Sequence, residues 1–587
     1  MTKSAFFILA LAFSFLSSAQ DFEWLVSGGG LLSDKATDIA VDHEGNIFIT
    51  GYYNEEATFG PFSIPFGNPS SKEVFVAKLD PQGNYLWAKY GDNYYDDRGL
   101  GLCLDKQGNV FVTGTCWGGM TFGSLSVYNS TSYTDQIFVL KLDGNGNEIW
   151  LKNAGVNTGG YPYNDDHGFN SVADTIGNIY VTGFISNNTN SAQNATFDAL
   201  IVTVAPNDSL AFLAKLDPAG TWQWVNTFDG ESGSRDNDID IDNENNLYIV
   251  GGFDGTRMFG TTSLTSVGGN DVFVVKYDEN GNFIYAKRAG GLLDDRANAV
   301  HCSSDNHIYI TGEFRDKAGF GLDSVNNNGG PNGRDIFVSR MTKDGTFLWV
   351  KKAGSNSGSD RGNGVSTNDQ GNIFVTGQFR GKADFQSNIE LDSGNDSTQF
   401  FVAAIDTLGK WRWAKQGGGA MPDRGNKIAV DGCDVYSCGY YELTMNTDSL
   451  SISVLGKKDV FISKISDACF GYDSPPPPPP PPPPIPPVVV VTGDSCNILI
   501  SNVFSPNGDG VNDFVTFSDY CATPVNVLIF NRWGNIVYQS DNPTLPWFGT
   551  DMEDFPLTEG VYFYTIKGTK ADGETINQHG FITLLGK

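Results

Sequence analysis

Asp238, Asp240 and His301 are residue types that could do chemistry, and their spacing brings them together. A carboxylate beside an imidazole can hold a metal or move a proton, because histidine changes charge near neutral pH. Asp238 and Asp240 are two residues apart, which on a strand puts both side chains on one face. One sequence repeat later, His301 takes the place of Asp240. The other copies carry Ala40, Cys103, Val172, Ser366 and Ala429 there, so the pair is a departure from the repeat. No serine or cysteine nucleophile accompanies it by sequence, and a hydrated polar patch would satisfy the same pattern. Tyr161 and Tyr163 are further ligand-binding candidates. They lie in a long loop (Val156 to Asp165), where aromatic rings could stack on a sugar or grip a protein. A long insertion, Asn187 to Asp208, follows in the same copy.

What must position these residues is a repeat. A phrase closing on glycine reads DHEGNIFITG (Asp42 to Gly51), DKQGNVFVTG (Asp105 to Gly114) and DTIGNIYVTG (Asp174 to Gly183), and it continues to a shortened copy ending at Gly439. The seven closing glycines recur about every 65 residues, the mark of a repeat architecture. A second phrase, VFVAKLDPQGNYLWAK (Val74 to Lys89), recurs between them. Its seventh copy, from Val460, stops at Cys469 without a Trp strand, and the missing piece matches FEWLVSGG (Phe22 to Gly29) at the other end of the chain. Short runs rich in Val, Ile, Phe and Tyr, bounded by Gly, Asn and Asp, read as strands with tight turns. Four strands per unit, repeated radially, describe an all-β fold: a seven-bladed β-propeller closed by its N-terminal strand. Such closure would leave no unpaired sheet edge.

An Asp followed by a cation stands eight residues before most of the turn Asp residues. The pairs are Asp34-Lys35, Asp97-Arg98, Asp166-His167, Asp295-Arg296, Asp360-Arg361 and Asp423-Arg424, while the fourth copy reads Ser234-Arg235. A charged ring at the mouth of a channel is one reading. The other is scaffolding, with each cation bonding a carboxylate or carbonyl of the next unit, and the regularity favours it.

The recurring phrases resemble the bacterial β-propeller repeat family known as SBBP over about Phe22 to Cys469. Composition agrees with a large secreted β protein of 587 residues, 70 of them Gly. Asp and Glu number 68 against 38 Lys and Arg, a net charge of −30, which argues against nucleic acid and anionic membranes as partners. Residues 1–19 read as a signal peptide, with Lys3 before the apolar run Ala5 to Leu16, and no later stretch reaches transmembrane length. The propeller is expected over 20–470. A Pro-rich linker follows at 471–495, its polyproline run spanning about 40 Å, and a last domain occupies 496–587. Cys496 and Cys521 flank one compact segment of that domain and are expected to pair. A second bridge, Cys433 to Cys469, is plausible because both fall in turns on one face.

The tail carries NVFSPNGDGVNDFVTF (Asn502 to Phe517), Asn531-Arg532-Trp533-Gly534 and Gly560-Val561-Tyr562. Alternating short strands suggest an immunoglobulin-like β-sandwich. The stretch resembles the type B C-terminal sorting domain of the type IX secretion system, also called the gliding-motility-associated C-terminal domain. The resemblance implies recognition by the type IX machinery and an extracellular or outer-membrane-surface location. Asn507, Asp509 and Asp513 set oxygen ligands between glycines, a spacing that either wraps Ca²⁺ or shapes an Asx-rich turn. The Asp143 to Asn147 run offers the same two readings and shares its place with the repeated hairpin turns.

Two function classes follow. The leading expectation is a secreted or surface binding, adhesion or scaffold protein recognising a glycan or a surface protein. The alternative is a secreted hydrolase or lyase with its site on the propeller face. Fold cannot choose between them, and the lack of a catalytic motif favours the first.

Overall fold

Each glycine-closed phrase forms a strand covered on both faces, which is why it reads as a continuous apolar run rather than an alternating one. Ile47–Tyr53 is buried at every position but one, and Leu247–Phe253 throughout. The computed structural model describes residues 20–65, 71–128, 134–156, 164–229, 237–330, 333–356, 358–394 and 397–470. In the C-terminal part it describes 503–504, 514–515, 522–531, 536–541, 546–550, 557, 560–570 and 575–584. Two units separate at Ser474.

The larger unit is all-β, with no α-helix among the described residues. Its first repeat pairs Lys35–Val41, Ile47–Tyr53, Glu73–Leu79 and Tyr85–Asp92 as consecutive antiparallel strands. The other repeats follow the same order. In the last repeat, Arg424–Asp431, Asp434–Tyr441 and Asp459–Ile465 are completed by Phe22–Gly30, with Trp24 opposite Lys464 and Gly28 opposite Val460. Innermost strands touch in succession, and Arg424–Asp431 touches Lys35–Val41. Hydrophobic clusters therefore bridge neighbouring repeats; one joins Ile39 and Phe75 to Tyr436 and Val460.

The repeated phrases hold the repeats to one another. In the Asp-x-x-Gly-Asn turn, Asp42 Oδ1 accepts the N–H groups of Glu44 and Asn46, both at 2.9 Å, and Asn46 Nδ2 donates to Oδ2. Gly45 takes φ 78° there, a left-handed conformation suited to glycine. Asp143 is engaged identically by Asn145 and Asn147, which accounts for that run as a turn. The Trp strand then reaches the next repeat's turn: Trp24 Nε1 donates to Pro81 O (3.2 Å), Trp150 to Pro218 O (3.1 Å) and Trp349 to Thr407 O (2.9 Å). Lys78, Lys141 and Lys276 make the same crossing from the strand before.

Two features differ from the sequence expectation. Between the second and third strands of every repeat lies an extra hairpin, such as Ala57–Phe59 with Phe62–Ile64. In most repeats it pairs back onto the preceding Trp strand. Asn187 to Asp208 is the third repeat's copy of this hairpin (Gln193–Phe197 with Leu200–Val204) and not an insertion peculiar to it. A Cys433–Cys469 bridge, one of the two readings the turns allowed, is present, with Cα atoms 5.1 Å apart.

In the C-terminal unit, the described residues form one five-stranded sheet in the order Val503–Phe504, Thr575–Leu584, Gly560–Lys570, Ala522–Phe530, Ile536–Ser540. Its core gathers Phe504, Val527, Ile529, Trp547, Tyr562 and Ile582. The expected signal peptide and Pro-rich linker lie outside the described residues, as do Cys496 and Cys521.

Candidate functional site

The innermost strand of six repeats opens on the Asp-cation pair, and the two residues part company. Asp34, Asp97, Asp166, Asp295, Asp360 and Asp423 are wholly buried. Asp423 Oδ2 accepts the Gly419 N–H (2.7 Å), just past the preceding Trp strand, and Oδ1 accepts the Glu442 N–H (3.0 Å), just past its own second strand. Asp34, Asp166, Asp295 and Asp360 repeat this clamp. Burial pushes Asp34, Asp295 and Asp423 up to about 7 and Asp360 up to about 6, against the pull of those N–H donors.

Three of the cations, Lys35, Arg361 and Arg424, line a cavity of about 360 Å³ where the innermost strands begin. Arg361, Arg98 and Lys35 reach back toward the residue after the closing glycine of the preceding repeat, not forward as the sequence suggested. Arg361 meets Glu313 at 2.6 Å. Arg98 sits 6.0 Å from the Tyr52 ring centre and Lys35 4.5 Å from that of Tyr440. Gln378 occupies the equivalent place before Arg424, and both line the cavity. Where Glu313 offers a carboxylate, Tyr440 and Gln378 do not. Among the described residues neither Lys35 nor Arg424 has an ion-pair partner.

Three residues after the clamp position, which is Ser234 in the fourth repeat, comes the cavity wall: Thr37, Leu100, Phe169, Asn237, Asn298, Asn363 and Asn426. Most of its polar members staple one repeat to the next. Asn298 Nδ2 donates to Gly362 O (2.9 Å), Asn363 to Gly425 O (2.8 Å), Asn426 to Ala36 O (2.6 Å), and Thr37 Oγ1 to Gly99 O (2.9 Å). Asn237 is the exception. It is 3% exposed, and neither its amide nitrogen nor its oxygen has a partner among the described residues. Leu100 and Phe169 make the second and third repeats an apolar arc.

The next position forms the floor. Lys427 Nζ crosses from the seventh repeat to Asp238 Oδ1 in the fourth, at 2.7 Å. Burial opposes the charge of Lys427, yet Asp238 and Asp38 together hold its ammonium above the usual range. Asn170 also donates to Asp238, whose Oδ2 takes the Val300 N–H (2.9 Å). Asp38 uses Leu102 N–H in the same way (2.7 Å).

The structure thus brings Asp238 into the cavity. Asp240 and His301 do come together, Oδ2 to Nδ1 at 3.2 Å, but they lie further along the strands and are not among the lining residues. Asp240 also takes the Cys302 N–H (2.7 Å), so its carboxylate ties two repeats. Tyr161, Tyr163, Asn507, Asp509 and Asp513 lie outside the described residues. Sequence reasoning missed Asn237, Tyr52 and Tyr440 as site residues, although two of them follow a closing glycine.

It also missed a cluster at the junction of the second and third repeats. Asp135, Asp165 and His167 bring one potential ligand atom each within 4.8 Å of one another. Burial, then the charge of Asp165, pushes Asp135 up to about 7, and the two carboxyls share a hydrogen bond. A shared proton answers their repulsion without an ion. His167 stacks on Phe184 with ring centres 5.0 Å apart.

Residues 498–584 match the CHU_C type IX secretion signal domain. That domain suggests export by the type IX secretion system and a secreted or cell-surface location. Among curated proteins, an uncharacterized WD repeat-containing protein of Acanthamoeba polyphaga mimivirus is 24% identical over 509 residues, 70% of this chain. The chain spans 35% of that relative's length. Among solved structures, a puromycin hydrolase mutant complexed with PGG aligns with TM-score 0.38 and 8% identity, over 73% of this chain and 53% of its own. PorZ, a surface component of the type IX secretion system of Porphyromonas gingivalis, aligns with TM-score 0.22 and 10% identity, over 94% and 81%. Likenesses this weak carry no information about function.

Proposed function

We propose that this chain is a secreted or cell-surface binding protein. Its recognition module is a seven-bladed β-propeller closed by the N-terminal strand, and its C-terminal domain engages the type IX secretion machinery. The pairing of Phe22–Gly30 with Asp459–Ile465 supports the closure. One observation carries the binding role: a preformed cavity at the channel mouth, lined by amides, cations and tyrosines from several blades, with its one lining carboxylate already held by Lys427. Convergent polar groups in a concave site are the usual setting for ligand recognition. The partner is a glycan or a surface protein.

Binding of the full chain to glycan and protein arrays, beside a variant in which Asn237→Trp fills the cavity, tests this reading. Loss of the captured ligand by the filled variant is expected. Undiminished capture would place recognition elsewhere, and turnover of a polysaccharide or peptide panel would replace binding with catalysis.

A further inference from the structure

The channel mouth is electrostatically opposite to the rest of the chain. The protein carries −30, yet Lys35, Arg361, Arg424 and Lys427 line this cavity against the single carboxylate of Asp238. Two of these cations are answered: Lys427 by Asp238 and Arg361 by Glu313. Lys35 and Arg424 are not, among the described residues. Instead they crowd the ring of Tyr440, with Lys35 Nζ at 4.5 Å and Arg424 Cζ at 5.8 Å from its centre. The ring offers each some cation–π attraction, but it cannot neutralise two like charges held side by side. Arg424 Nε is buried and has no hydrogen-bond partner among the described residues, and both ends of the Asn237 amide are likewise unused. Buried donors and cations left without partners cost free energy unless something else completes them.

We infer that the cavity takes an anionic sugar: a ring whose carboxylate or sulfate group lies between Lys35 and Arg424 and whose apolar face rests on Leu100 and Phe169. This deepens the binding role proposed above and rests on it. The planar fork of Arg424 suits an oxyanion, and Asn237 lines the same cavity. The apolar arc stands where the other repeats carry a threonine or an amide, so the cavity has a wet side and a dry side, as a pyranose does. Burial, and then the charges of Lys458, Arg424, Lys72 and Arg98, pull Lys35 down to about 8. A bound anion would relieve that crowding.

Calorimetric titration of the full chain with glucuronate, N-acetylglucosamine 6-sulfate and neutral glucose tests the inference and separates carboxylate from sulfate. At least one acidic sugar should bind about tenfold or more tightly than glucose, and binding should weaken with added salt. Arg424→Gln and Lys35→Met should each lose about tenfold, while Arg424→Lys should retain part of the affinity. Failure of both acids to bind, or equal affinity for glucose, would overturn the inference, as would full affinity in Arg424→Gln. If glucose binds and Asn237→Trp abolishes it, the anion inference fails and the recognition role stands. If an acid still binds to Asn237→Trp, the recognition role at this cavity fails as well.

Discussion

Asp423 and Arg424 are adjacent in the chain, and the same contrast runs around the innermost strands. The carboxylate is wholly buried and spends both oxygens on backbone N–H groups of two different strands. The guanidinium, one residue on, turns to the cavity and has no ion-pair partner among the described residues. Side chains of a strand alternate between faces, so one dipeptide supplies a joint to the scaffold and a group to the site. The clamp is regular in five repeats because those joints solve the same problem. The cations are regular only in type, and what they meet changes from Glu313 to Tyr52 to Tyr440.

The sharpest division between the clamp carboxyls and the cations should appear with pH. The clamp carboxyls of Asp34, Asp295, Asp360 and Asp423 have folded-state values of about 6 to 7, above the ordinary 3.8. A raised carboxyl binds its proton more tightly in the folded chain, so its stabilisation is complete below about pH 4 and is lost as pH rises toward 7. Every tenfold gain in proton affinity on folding corresponds to about 1.4 kcal/mol. Denaturant midpoints of the full chain should therefore fall between pH 4.5 and 7.5 and level off above. Asp423→Asn should flatten part of the slope and Arg424→Gln none of it. A midpoint that rises over this window would show the clamps to be ionised when folded.

Asp423→Ala leaves the N–H groups of Gly419 and Glu442 without their acceptor, a loss of about 2–5 kcal/mol. Arg424→Gln should change stability by no more than about 0.5 kcal/mol, and it would raise it if relief of crowding with Lys35 dominates. Comparable losses from the two variants would erase the distinction between scaffold and site.

Much of the scaffold was legible in the sequence. The glycine-closed phrase, the Trp phrase and the displaced first strand are long, periodic signals, and the observed pairings follow them. The extra hairpin was not seen, because strands of three to five residues give little periodicity. Its signal is a buried Phe followed by a left-handed Gly, as in Phe59-Gly60, Phe122-Gly123, Phe259-Gly260 and Phe320-Gly321. The site was half legible. Asp238 stood out as a break in the repeat, but Lys35 and Arg424 were absorbed into a scaffold ring because both halves of each pair are charged. Only burial separates them, and burial is a property of the assembled fold. Asp240 and His301 met as expected, yet their contact is shared with the joint to Cys302.

Binding should follow Lys35 across a narrow range of pH. With its ammonium pulled down to about 8 by burial and by Lys458, Arg424, Lys72 and Arg98, affinity for an acidic sugar should fall about tenfold between pH 7 and 9.5. Burial pushes the nearby Tyr52 phenol up to about 12, so it stays neutral throughout. Lys35→Met should remove the dependence, and a slope that survives it would assign the titration to another group.

The finest test lies within the wall itself. Asn363 and Asn237 occupy equivalent positions, and their side chains differ only in what they meet. Asn363 Nδ2 reaches Gly425 O at 2.8 Å, so Asn363→Ala should cost about 1 kcal/mol. Asn237 is buried with both amide atoms unused among the described residues, so Asn237→Ala removes an unsatisfied polar group and should leave stability unchanged or raise it by up to about 1 kcal/mol. Its effect should appear in binding instead, as a severalfold loss for a sugar and none for a simple carboxylate such as acetate. Equal destabilisation by the two variants would mean that Asn237 is one more staple. A regular residue kept against its own stability has its explanation in what the cavity receives.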